Sequence, residues 1–521
     1  MDSQKIKLII ISVLALFAAL YLGISAATAQ METVGWVLGA GVLITCLLLG
    51  PRIWLLIPFL GSLHLTLMIP GRPSTIAVAQ TLVVFFSLLM FMTRKLPIRL
   101  RFTELEVWMF LLVLCVLQVY LRNPIGVNLF GSNQVGGRPY ALFVVALIAA
   151  LIMCGLVVPA KELRTALKLS IVGGILNFTI GLISLFWFPL GYWFGVGGDE
   201  TTSSRAQMKA IDTENASRID FVRDVAHTLA LTVSSFKNPL AACFSIRWAP
   251  LIIISLAFAG LSGYRNVVAS VGMTYVVGTL YRGGVGALFG SVLAGVAAVA
   301  LLAVTNLAMP LPPNIQRALS FLPGTWNERY VIDSEGSTDW RVEIWQEVLF
   351  TDRWIQNKIM GDGLGFSAAE LARQEALMVE GGSERFGVSG FDFHRESILA
   401  NGDYHSGPVS AVRTIGYVGL LVMVLAQIRL VVHAHRQILR CKGTEWFPVA
   451  LFFCIPIIWF PFYFAFIFGG FQVDGVGILM NLGMLRMLEN NLPLPAYVTQ
   501  RARHHGFTLQ NRDRADARAT G

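Results

Sequence analysis

The chain is a succession of apolar runs of bilayer length, and this one feature excludes most folds. About 20 apolar residues in a helix span the roughly 30 Å hydrocarbon core of a membrane. In lipid only helices and closed barrels satisfy every backbone N–H and C=O internally. Such runs occupy residues 8–26, 34–50, 53–69, 75–92, 105–121, 140–158 and 167–194, then 248–261, 267–280, 285–307, 415–432, 447–468 and 476–488. The composition points the same way. Of the 521 residues 55% are hydrophobic and only 14% are charged, against about 25% charged in a soluble chain. The expected fold is an all-α polytopic membrane protein.

Charge sets the sidedness. Basic connections contain Arg94, Lys95, Arg99 and Arg101, then Lys161, Arg164 and Lys168, then Arg436, Arg440 and Lys442. Cytoplasmic loops carry such excess Lys and Arg, and the tail with Arg501, Arg503, Arg512, Arg514 and Arg518 belongs with them. Residues 221–245 are only weakly apolar, being interrupted by Arg223, His227 and Lys237. Counting from the N-terminus and counting back from the C-terminus agree only if this segment also crosses. The expectation is then about fourteen transmembrane helices with both ends cytoplasmic. Lys5 and Lys7 precede the first run, and Ala27-Thr28-Ala29 resembles a signal-peptidase site. That run exceeds the usual signal core of about 7–15 residues, so it reads as an uncleaved helix.

The same parity places two polar segments outside: the turn Ser262-Gly263-Tyr264-Arg265-Asn266 and the one long polar interval, 309–412. The chain thus divides into helices over 1–308, an extracytoplasmic loop over 309–412, helices over 413–490 and a basic tail over 491–521. The net charge of +9 follows from the cytoplasmic loops, and no nucleic-acid signature accompanies it. None of the six cysteines lies in the long loop, so neither a disulfide framework nor a CxxC metal site is indicated.

Three outer residues can do chemistry. Arg265 sits in the short turn. Arg341 opens an amphipathic stretch in which Ile344, Trp345, Val348 and Leu349 recur at helical spacing. His405 precedes Gly407-Pro408 just before the chain re-enters the membrane. Outside the cell there is no ATP, so a transferase needs a donor with its own leaving group, and a lipid diphosphate is one. A guanidinium binds phosphate oxygens bidentately, and an imidazole accepts a proton near neutrality. Each residue type also has a structural use: a turn arginine anchors topology, a helix arginine faces solvent, and a loop histidine packs. His394 competes with His405 for the role, while Arg138 and Arg122, at outer helix mouths, are auxiliary cations. Gly361-Asp362-Gly363-Leu364-Gly365 lacks a nucleotide-binding context and reads as a tight turn.

The order of these features carries a family likeness. Ser-x-x-Arg at 262–265 is followed by Arg341-x-x-x-Trp345, then by Gly361-x-Gly363-x-Gly365, then by Tyr404-His405-Ser406-Gly407 and Ile415-Gly416-Tyr417-Val418-Gly419-Leu420-Leu421. This resembles the O-antigen ligase and O-antigen polymerase superfamily of bacterial envelope glycosyltransferases, most closely over 252–423. The resemblance implies a type C glycosyltransferase-like helical fold in the inner membrane and a polyprenyl-diphosphate-linked oligosaccharide donor. It also implies metal-independent transfer on the periplasmic face, without a cofactor, to a glycan, lipid A core or protein acceptor. By position, Arg265, Arg341 and His405 take the catalytic places, with Arg138, Arg122 and His394 around the substrate. The chain departs from the family pattern in having Ser406 where asparagine is common, and Gly263-Tyr264 between the turn serine and its arginine. A transporter or flippase for envelope glycans is the competing class. It would place ionisable residues at the bilayer midplane, for which His64, Lys237 and Arg247 are the candidates.

Overall fold

The computed structural model describes residues 31–68, 71–99, 101–125, 136–194, 218–366 and 404–493, together with Ala372, Leu399 and Gly402. The first expected span (8–26), the basic tail and His394 lie outside the described residues. Among those described there is no strand beyond two isolated bridges, Thr66–Ser74 and Ile98–Leu156. Eight helices are long and apolar enough to cross a membrane. The protein is an all-α polytopic membrane protein.

Two compact units form. The smaller comprises the chain up to residue 54 together with 85–96. It contains α1 (Met31–Leu49), most of a 3-10 turn over Gly50–Leu55, and the end of α3 (Thr75–Met92). Cys46, Ile53 and Trp54 are buried there.

The larger unit holds the rest of the described chain. In order come α2 (Leu56–Gly61), α4 (Glu104–Arg122), α5 (Arg138–Gly155), α6 (Ala160–Phe186), α7 (Phe188–Trp193), α8 (Asp220–Phe236), α9 (Pro239–Ala242) and α10 (Ala249–Leu261). They are followed by α11 (Arg265–Ala308), α12 (Pro313–Leu319), α13 (Glu328–Phe350), α14 (Gly407–Cys441), α15 (Phe447–Phe466) and α16 (Phe471–Asn491). α4 shows why these sequences are helices of this kind. Thr103 and Glu106 form a capping box at its start, and Leu105, Met109, Leu112, Val116 and Val119 make a buried stripe at helical spacing. Its opposite face is equally apolar, with Phe110, Leu114, Leu117 and Leu121 exposed, as a helix bathed in lipid requires.

Two helices are interrupted by glycine. α11 reverses at Gly284, whose φ is 77°. Ser291 Oγ donates to Thr279 Oγ1 at 3.2 Å, whereas residues twelve apart on a straight helix lie about 18 Å apart. α11 is therefore a hairpin, and its arms cover the expected spans 267–280 and 285–307. α14 breaks at Gly416, with φ 72°. Other expectations shift. The run 53–69 comprises the end of the 3-10 turn and the six-residue α2, followed by non-helical chain to Met68. The run 167–194 divides at Trp187-Phe188-Pro189 into α6 and α7.

The weakest expected span, 221–245, forms α8 over its first two-thirds and runs the length of the larger unit. Ile219 N–H donates to Ser262 O at 3.0 Å, which ties the start of α8 to the turn after α10. Arg282, beside the α11 reversal, donates from Nε to Ser234 O at 2.8 Å and ties the other end. The two ends of this unit differ. One, the loop end, carries the 262–266 turn, α12, α13 and residues 357–366. The other, the basic end, carries the 441–447 turn, the α11 reversal and a buried ion network. There Arg486 donates to Glu106 and Glu489 at 2.6 Å each and ties α16 to α4.

The two glycines predict different costs for alanine. At Gly284 a Cβ meets nothing within 4 Å, so Gly284→Ala should lose only the backbone penalty of a conformation that glycine alone adopts readily, about 1–3 kcal/mol. At Gly416 a Cβ overlaps the Ile359 carbonyl, so Gly416→Ala should lower the apparent unfolding temperature in detergent clearly further.

Candidate anion site at the loop end

The site is assembled on the break in α14. Ending a helix at Ile415 strands the carbonyls of Arg413 and Thr414, and restarting it strands the N–H groups of Tyr417 and Val418. Residues 358–363 satisfy all four. Asp362 and Gly363 N–H donate to Arg413 O and Thr414 O at 2.7 and 3.1 Å. Tyr417 and Val418 N–H donate to Lys358 O and Ile359 O at 2.8 and 3.2 Å. The inserted segment folds on itself through Asp362, whose carboxylate accepts Gln356 N–H at 2.8 Å and Asn357 N–H at 2.9 Å. The close approach requires Gly361, where a Cβ would stand 2.6 Å from the backbone of Ile415. The Gly-x-Gly-x-Gly run is thus the tight turn its composition suggested, built into a helix.

The flanking helices grip the same segment. Gln118 Nε2 and Arg122 Nη2 donate to Met360 O at 2.8 and 3.1 Å, Arg122 Nη2 also donates to Gly361 O at 2.7 Å, and Asn123 Nδ2 donates to Asp362 O at 3.0 Å. Leu364 N–H donates to Tyr140 Oη at 3.1 Å and Gln472 Nε2 to Leu364 O at 2.9 Å. Buried Arg413 lies over the Phe366 ring at 4.1 Å. Arg122 is therefore committed to holding backbone. Arg138, also buried, donates to Arg72 O at 3.2 Å.

Arg265, Arg341 and His405 lie elsewhere at this end, and a chain of contacts runs through their neighbours. Next to Arg265, Asn266 Nδ2 donates to Tyr463 Oη at 3.1 Å. Tyr463 O accepts the N–H of Phe468 at 3.1 Å, and the Phe468 ring lies 5.4 Å from the His405 ring. Tyr404, before His405, accepts Trp345 Nε1 at 3.0 Å through its carbonyl. Arg341 lies one turn before Trp345 and feels the charge of Arg218. Arg218 lies 5.4 Å from the ring of Tyr264, the neighbour of Arg265. α13 is fixed against α14 by Ile344, Val348, Tyr404, Val409 and Val412, all buried.

The electrostatics are lopsided. Asp220 and Asp224 are committed to Arg223, at 3.1 and 2.9 Å. Asp220 also accepts Tyr264 Oη at 2.7 Å, and Asp224 accepts Asn177 Nδ2 at 2.9 Å. Arg265 Nε donates to Arg317 O at 3.4 Å. Buried Nε of Arg341 has no hydrogen-bond partner among the described residues. Burial, and then Arg218, hold the Arg341 guanidinium below its ordinary value. Arginine remains charged under such a shift, so Arg341 keeps its positive charge. Burial raises the Tyr404 phenol to about 12 and raises Tyr264 as well, so both remain neutral. Among the described residues no group of three or more His, Cys, Asp or Glu could hold a metal ion.

Sequence reading missed Arg218, Tyr264, Tyr463 and Phe468. The only signal for the first two was adjacency, to the charged start of α8 and to Arg265. His405 adds a feature that no sequence shows: its backbone is left-handed, with φ 49°. Comparison with protein-family models finds no match to this chain, and comparison with curated proteins finds none either.

The left-handed backbone separates two variants that both remove the imidazole. His405→Gly should be more stable than His405→Ala by about 1 kcal/mol, because glycine takes this conformation freely. The reverse order of apparent unfolding temperatures in detergent would contradict the described backbone.

Proposed function

We propose that the chain is a membrane glycosyltransferase that transfers or polymerises a polyprenyl-diphosphate-linked glycan during surface polysaccharide biosynthesis. The observation that carries this reading is the chain of contacts at the loop end that links the neighbours of Arg265, Arg341 and His405, together with a buried Arg341 Nε that has no hydrogen-bond partner among the described residues. In this reading the loop end faces the periplasm, about fourteen helices cross the inner membrane, and both chain ends are cytoplasmic. The fold is then of the type C glycosyltransferase kind, as the likeness to O-antigen ligases and polymerases implies.

The chemistry needs two things from the protein. His405 takes the proton of an acceptor hydroxyl as its oxygen bonds to the anomeric carbon. The bond from that carbon to the phosphate oxygen breaks, and its electron pair leaves with the lipid diphosphate. Arg341 and Arg265 stabilise the charge that grows there, which is the larger effect in a site partly shielded from water. The acceptor is a lipid A core, another lipid-linked repeat or a protein side chain. A single transferred block identifies a ligase and a ladder of lengths a polymerase.

One observation favours the second reading, a transporter or flippase. Asp224 is buried among helices, accepts Asn177 and Arg223, and His227 nearby meets Ser270 Oγ at 3.1 Å. Buried ionisable groups of this kind line transport pathways. These groups sit close to the loop end, however, and Asp224 serves Arg223 there.

The test is transfer by purified protein given a polyprenyl-diphosphate glycan and an acceptor. Arg341→Ala, Arg265→Ala and His405→Ala should each lower the rate about 100-fold or more. Arg164→Ala, which breaks an exposed pair with Glu445 at the basic end, should leave it unchanged. Glycan crossing the membrane without covalent transfer would replace this reading with the transporter.

A further inference from the structure

We infer that Arg218 is a further diphosphate-binding residue, completing a cationic pocket with Arg341 and Arg265; this rests on the glycosyltransferase reading above. Two arginines flank one aromatic ring: the guanidiniums of Arg218 and Arg223 lie 5.4 and 5.7 Å from the centre of Tyr264. Their circumstances differ. Arg223 is held between two carboxylates, Asp220 and Asp224. Arg218 is exposed and forms no ion pair among the described residues; its neighbours there are the Tyr264 ring and the charge of Arg341.

Two guanidiniums repel, and like charges are brought together at little gain unless something negative lies between them. The two described carboxylates beside Tyr264, Asp220 and Asp224, are committed to Arg223 and to neutral donors, Tyr264 and Asn177. The Arg341 Nε–H, buried and without a partner among the described residues, is one donor awaiting an acceptor. Stacking on Tyr264 then gives Arg218 a defined position, because a planar guanidinium on an aromatic face keeps its N–H groups directed outward at its rim. Tyr264, fixed by its bond to Asp220, places that platform beside Arg265. Arg223 is the internal contrast: the same ring, but charge already neutralised.

A diphosphate suits three such donors, since it offers oxygens on two phosphorus atoms and arginine engages them in pairs. The same chemistry could come from the lipid-linked donor or from an anionic phospholipid headgroup, so both are tested. Full-length protein in neutral-lipid nanodiscs is titrated with farnesyl diphosphate, and separately with phosphatidylglycerol incorporated into the discs. Wild type should bind farnesyl diphosphate, Arg218→Ala should bind it about 10-fold more weakly, and Arg218→Lys should recover part of the loss. Arg223→Ala removes the neighbouring cation and tests whether loss of any arginine suffices; its affinity should fall by less than that of Arg218→Ala. Wild-type binding that Arg218→Ala leaves unchanged, while Arg341→Ala weakens it, overturns the role of Arg218 and leaves the glycosyltransferase reading standing. Absence of binding to wild type, or binding that Arg341→Ala does not alter, overturns both. Equal loss for phosphatidylglycerol and farnesyl diphosphate assigns Arg218 to the membrane surface and overturns its place in the diphosphate pocket.

Discussion

The larger unit depends on four backbone hydrogen bonds between residues 358–363 and the break in α14. In lipid an interrupted helix leaves polar groups that nothing nearby can satisfy, and each costs several kcal/mol. Here the loop segment supplies the missing partners, so the long polar interval is not merely attached to the helices but completes one of them. The consequence for the site is direct. The short first piece of α14 begins at Gly407, immediately after His405-Ser406, and its direction is set by the loop that closes the break. Gln118, Arg122, Asn123, Tyr140 and Gln472 then hold that loop from three further helices.

This division of labour explains two kinds of arginine at the same end. Arg122 and Arg413 point at carbonyl oxygens of the inserted segment, with Arg413 reaching Gly363 O at 3.4 Å and Arg122 reaching Gly361 O at 2.7 Å. They act as capping groups, and their charge strengthens ordinary hydrogen bonds. Arg341 has the burial of a structural residue without its hydrogen bonding at Nε. From sequence the two kinds are indistinguishable, because both occur in polar stretches near apolar runs. Only the identity of the acceptor separates them.

Bilayer-length runs made the helical, membrane-spanning class legible, because backbone satisfaction in lipid leaves so few alternatives. Glycine was legible as interruption but not as geometry: Gly283-Gly284 shows a break, whereas the reversal that makes α11 a hairpin is visible only from Ser291 meeting Thr279. The run 53–69 misled because apolar content does not fix helix length; it ends a 3-10 turn, forms the six-residue α2, and leaves the helix at Ser62, with His64 at a positive φ of 46°. The expected crossing of 221–245 rests on counting alone, and α8 is not among the eight described helices long and apolar enough to cross a membrane. Its charges gather in the first two turns, where Asp220, Arg223 and Asp224 satisfy one another. For the site, the residue types were readable and their grouping was not, since the contacts between the neighbours of Arg265 and His405 pass through Tyr463 and Phe468, which look like ordinary aromatic residues at a helix end.

The two ends of the larger unit differ in how their arginines are paired among the described residues. At the basic end the buried guanidinium of Arg486 meets two carboxylates, Glu106 and Glu489, and half-exposed Arg429 meets Glu104 at 3.0 Å, while Arg282 and Arg440 donate to backbone carbonyls. Such a network joins α4, α14 and α16 and can be satisfied entirely from within. Breaking one partner of a buried pair costs about 3–5 kcal/mol, so it is a device for holding helices in place. At the loop end the carboxylates of α8 are committed to Arg223, and among the described residues Arg218 and Arg341 form no ion pair. Desolvating an unmatched guanidinium opposes folding. A buried Arg341 Nε without a partner among the described residues keeps that cost where an anion from outside the protein can offset it.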